Sequence, residues 1–109
     1  MDHRYQDRVS LEMARRIASG LADHPEWIEH ARMNLRRWSE LNADAPGLLR
    51  CYDEWRQILE RPIADVRAVL LAENDEGQRL RQSSPFAGVL SPREVWAIKE
   101  HMRNDTAAA

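Results

Sequence analysis

The sequence holds a single cysteine, Cys51, so no internal disulfide staples the chain and no CxxC pair is available for zinc. No apolar run approaches the roughly 18 residues that a membrane-spanning helix needs. The first seven residues, Met1 to Asp7, are polar and contain no apolar leader region. Together with the lone cysteine this points to a reducing, cytoplasmic setting. Glycine occurs four times and never in a phosphate-cradling repeat, and GxSxG and HExxH are both missing. Neither sign of charge dominates: 16 basic residues face 18 acidic ones, for a net charge of −2. That excludes a protein that coats polyanions by bulk charge and leaves room only for a local basic face. Lysine is almost absent. Lys99 is the only one, and every other basic residue is arginine, a bias that genomic base composition explains before function does.

What is present suffices for a core. A chain of 109 residues, 43% hydrophobic and 31% charged, has the balance of one globular domain, residues 1–109. Area scaling for this mass gives about 6,200 Å² of accessible surface when folded against about 18,000 Å² when unfolded. Apolar residues recur at helical spacing, and no stretch alternates with a period of two. Val9, Met13, Ile17 and Leu21 form the stripe of a first helix over residues 7–22. Asp23-His24-Pro25-Glu26 reads as a capping box with proline in the first turn, followed by a stripe of Ile28, Ala31, Leu35, Trp38 and Leu41. The run 42–47 breaks that helix. Leu48, Cys51, Tyr52, Trp55, Ile58 and Leu59 mark a third helix over 47–60, which Pro62 ends. Ile63, Val66, Val69 and Leu70 make a fourth, and a short fifth follows over 75–82. Residues 83–90 fit neither period and read as a structured loop. Ser91-Pro92-Arg93-Glu94 starts the last helix, with Val95, Ile98 and Met102 inward and residues 104–109 a frayed tail. The expectation is an all-α, compact, single-domain bundle of five to six helices.

Reactive groups do not converge in this pattern. His3, His24, His30 and His101 are scattered, with no two at metal-ligand spacing. Glu26 and His30 share a helical face, which reads as a surface link. Cys51 lies on an apolar stripe, where burial makes a thiol inert. Asp53 and Glu54 are adjacent and so diverge around a helix. The acid-rich run 73–77 lacks alternating calcium ligands and reads as helix capping. No catalytic residue, metal or cofactor is assigned.

Binding is better represented. Trp38 and Trp55 fall on inward stripes, whereas Trp27 and Trp96 lie beside theirs, at a core edge or a partner surface. Arg32, Arg36 and Arg37 share an outer face with Glu29 and Glu40 nearby, a pattern expected of a solvated charged surface. Arg79, Arg81 and Arg93 flank the 83–90 loop and its Phe86. Arginine with an aromatic is the composition of interface hot spots. Phe86 either plugs the end of the bundle or meets a partner. The candidate contact surface is therefore Arg79, Arg81, Gln82, Phe86 and Arg93. A second reading treats helices four and five as a helix-turn-helix, with Arg79, Arg81, Gln82 and Ser83 reaching bases. Asp75 and Glu76 would then face phosphate, which counts against it.

The stretch from Glu76 to Glu94, with Asn34-Leu35-Arg36-Arg37-Trp38 and Asp53-Glu54-Trp55 upstream, resembles a segment of small bacterial proteins akin to the antitoxin, or partner-binding, halves of toxin–antitoxin modules. The resemblance implies a non-catalytic chain whose partner is another protein, such as a toxin. It departs from many antitoxins in having no separate DNA-binding half and no long tail to wrap a toxin. Self-association as a homodimer is also open to a small helical domain.

Overall fold

In the computed structural model, which describes residues 3–108, six helices and no strand are found among the described residues: α1 (His3–Gly20), α2 (Glu26–Leu41), α3 (Pro46–Leu59), α4 (Ile63–Leu71), α5 (Asp75–Gln82) and α6 (Pro92–Ala108). This is an all-α bundle. α1 packs against α4, α5 and α6, while α2 packs on α3, and α3 also meets α4. The stripes meet in one core, in which Leu21, Ala31, Leu35, Trp55, Val66 and Leu70 are fully buried. No described helix is long and apolar enough to cross a membrane.

The helix starts show which local signals act. At α6 the expected capping box forms: Glu94 N donates to Ser91 Oγ and Ser91 N to Glu94 Oε1, both at 3.1 Å. At α5 the Asn74 Oδ1 accepts from Gly77 N at 2.8 Å, and Asp75 and Glu76 fill the first turn, where the helix dipole favours negative charge. At α2 the expected box is absent. The backbone N–H groups of Asp23 and His24 are both spent on Gly20 O, and Pro25 is already helical, so the start shifts two residues past Asp23. Glu26 instead pairs with His24 Nδ1 at 3.1 Å, and the His24 ring stacks on Trp27 at 4.7 Å between centroids. The Glu26–His30 link inferred from spacing does not form. α6 also runs on through Asn104 to Ala108, where fraying was expected. Alanine is the best helix former, and an Arg8–Asp105 ion pair ties this turn to α1. Ala109 lies outside the described residues.

The 83–91 segment decides how the two groups of helices join. Asn34 is the buried polar residue of α2. Its Nδ2 donates to Pro85 O at 2.9 Å and Ala87 O at 3.0 Å, and its Oδ1 accepts from Arg37 Nη2 at 2.9 Å. His30 Nε2 also bonds Ala87 O, at 2.9 Å. Phe86 then drops into the core and meets Trp55 edge to face, centroids 6.2 Å apart at 83°. Trp55 Nε1 in turn donates to Leu80 O at 3.0 Å. Gly88 turns the chain back with φ +91°, a conformation open to glycine and rare for other residues.

Candidate functional site

The five residues singled out from sequence separate in space. Arg79 sits on α5 between two acids. Its Nη1 and Nη2 donate to Glu54 Oε1 and Oε2 of α3 at 3.1 and 2.8 Å, and its Nε and Nη2 donate to Glu76 at 2.7 and 2.8 Å. The guanidinium's hydrogen bond holds the Glu76 carboxyl below its ordinary range, and the two carboxylates raise Arg79 in return. Arg81 turns back on its own fold. Its Nη1 donates to Leu70 O at 3.3 Å and to Ala72 O, covering carbonyls at the end of α4. Burial pushes its guanidinium downward.

Phe86 is 1% exposed, so the plug is what the loop builds, and the ring offers no face to a partner in this conformation. Gln82 is exposed at the end of α5, and Arg93 is exposed in the first turn of α6. Arg81, Gln82 and Phe86 do converge with Ser10, Met13 and Ile17 around a cavity of about 160 Å³. Arg79 and Arg93 are not part of it. Both arginines that a base-reading α5 would project are thus engaged within the chain. Cys51 is half-buried and free. Among the described residues no three of His, Cys, Asp and Glu converge to hold a metal ion.

Two features on the surface take the place of that cluster. The first is an open groove of about 520 Å³ lined by Gly88, Leu90, Pro92, Val95, Trp96 and Lys99. Trp96 is 64% exposed there, although tryptophan offers more apolar surface for burial than any other side chain. Arg93 and Lys99 lie three residues to either side of it and so share its helix face. Further along the same face, Glu100 is paired with Arg103 at 3.7 Å. Periodicity had already set Trp96 off its stripe, since the inward positions of α6 are Ile98 and Met102, both buried. Its exposure could not be read from spacing alone, because no pattern says whether a neighbouring element covers an edge position. The second feature is a cleft of about 430 Å³ between α2 and α3, lined by Arg32, Arg36, Arg56 and Glu60. Arg32 and Arg36 were visible as an outer face, but Arg56 joins them only through the α2–α3 packing.

No protein-family model matches this chain, and no curated protein and no solved structure matches it either.

Proposed function

We propose that this chain acts by binding another protein, as the neutralising or regulatory partner of a bacterial toxin in the cytoplasm, and that it carries out no catalysis. The observation that carries this reading is Trp96, standing 64% exposed beside an apolar groove. Tryptophan and arginine dominate interface hot spots, and Arg93 and Lys99 beside the groove favour a partner that presents carboxylates around an apolar side chain. The contact surface accordingly moves from Arg79, Arg81, Gln82 and Phe86 to the α6 groove and keeps only Arg93.

The test uses the tagged wild type and Trp96→Ala, captured from the host in parallel with and without nuclease treatment, with the co-purifying protein then purified and titrated. Trp96→Ala should keep its helical circular dichroism and lose about 30-fold or more in affinity, the equivalent of about 2 kcal/mol at a hot spot. The partner expressed alone should arrest growth, and this chain should relieve the arrest. Unchanged affinity for Trp96→Ala, or promoter DNA in place of a stoichiometric protein, would overturn the assignment.

A further inference from the structure

The α2–α3 cleft is lined by three arginines and one glutamate: Arg32, Arg36, Arg56 and Glu60. Arginines that merely dress a surface close onto neighbouring acids, as Arg79 does on Glu54 and Glu76. In the cleft Arg32 closes in this way onto Glu29, whereas Arg36 and Arg56 close onto no acid among the described residues. Among the described residues Arg36 makes no ion pair or side-chain hydrogen bond, and Glu60 shares the cleft without coming within 4.0 Å of a guanidinium. The flanking arginines are held open by other partners. Arg56 Nη2 donates to Ser39 Oγ at 2.6 Å. Arg32 donates from Nη1 to Glu29 at 3.0 Å and from Nη2 to Leu59 O at 3.4 Å. All five N–H donors of Arg36 therefore remain uncommitted, in a cleft shared with two guanidiniums already engaged elsewhere.

We propose that this cleft is an anion site for a compact phosphorylated ligand, with Arg36 as its central clamp and Arg32 and Arg56 as its walls. A planar guanidinium fork matches the paired oxygens of a phosphate, and an anion relieves the mutual repulsion of three like charges. The surroundings select a small ligand over a nucleic-acid strand. By helical spacing Glu29 and Glu40 lie about a turn from Arg32 and Arg36, and Asp53 lies one turn before Arg56. A polyanion tracking across the surface would meet these acids on either side, whereas a single phosphate would meet only the cleft. The proposal shares no residue with the Trp96 groove, so either can fail alone.

The experiment is a titration with inorganic phosphate, and separately with a nucleoside monophosphate, at ionic strength matched with chloride. Thermal unfolding and the arginine side-chain Nε–Hε NMR signals are followed together. Wild type should show a saturable rise in melting temperature, with shifts confined to Arg32, Arg36 and Arg56 and none at Arg79. Arg36→Gln should weaken the apparent affinity at least tenfold while its unliganded melting temperature stays equal or rises. An equal phosphate response in Arg36→Gln would mark a general salting effect and overturn the site. So would the absence of any response beyond chloride. If the monophosphate binds more tightly than free phosphate, the ligand is an ester; if the two are equal, it is phosphate itself. A single-stranded oligonucleotide that binds at the same arginines with a steep salt dependence would overturn the compact-ligand assignment.

Discussion

Phe86 and Asn34 work as a pair. The ring fills the space against Trp55, and the amide holds the two carbonyls on either side of that ring. A loop that enters a core brings backbone carbonyls with it, and each needs a donor. Asn34 answers two of them, and its own oxygen is satisfied by Arg37. Among the described residues no buried side-chain polar atom lacks a partner. Phe86→Ala would leave a cavity where α2, α3 and the loop meet. It is expected to destabilise the fold by about 3–5 kcal/mol, read as a fall in the urea midpoint. A loss below about 1 kcal/mol would mean that the loop is not a structural plug. At the same scale Trp96→Ala should cost the fold almost nothing, since the ring is mostly in water.

The helices owe their placement to different devices, and glycine separates them. Gly77 lies inside α5, where alanine would be favoured by about 1 kcal/mol on propensity. A Cβ there would come 2.1 Å from Ala72 O, so α5 approaches the end of α4 more closely than any side chain allows. Gly77→Ala should therefore destabilise by about 1–3 kcal/mol despite the better propensity. Gly47, at the start of α3, has nothing within 4 Å of the same built atom. Gly47→Ala should stabilise by a few tenths to about 1 kcal/mol. Parallel denaturation of the two variants checks both signs at once. The contrast also shows why α5 was legible and its packing was not. Asn74 before Asp75-Glu76 signals a helix start in any context, but the reason for a glycine in the third helical position exists only once α4 is beside it.

For the whole molecule, the buried bonds of Asn34 and Trp55 are joined by polar links between distant elements at or near the surface. Arg79 ties α5 to α3, Gln78 Nε2 donates to Asp7 of α1 at 2.6 Å, and Tyr5 Oη donates to Lys99 O of α6 at 3.2 Å. Glu76 and Glu26 both titrate below their ordinary value of 4.5, Glu76 through its bond to Arg79 and Glu26 through backbone hydrogen bonding and then His24. A carboxyl whose folded value is depressed contributes stability that is complete above the ordinary value and lost as pH falls through the depressed one. Stability should thus be nearly flat from pH 7 to about 5 and decline below about 4. Glu76→Gln should shallow that decline, as measured by urea midpoints across the range. An unaltered acid limb would show that the Arg79 clamp does not couple to folding. The radius of gyration is 14.2 Å, slightly above the roughly 13 Å typical of a domain this long.

Helix identity, the turn positions, most of the inward stripes and the capping box of α6 could be read directly from residue order. Each depends on groups three or four positions apart, and helical periodicity fixes their geometry. The fate of Phe86, Arg79, Arg81 and Trp96 could not, because each hangs on what lies opposite across a gap of many residues. Glu54 and the end of α4 draw the two arginines inward, Trp55 and Asn34 take in the ring, and no described element covers most of Trp96. The α2–α3 cleft belongs to the same class. Its arginines come from separate helices, and only the packing of one helix on the other brings them to one cleft.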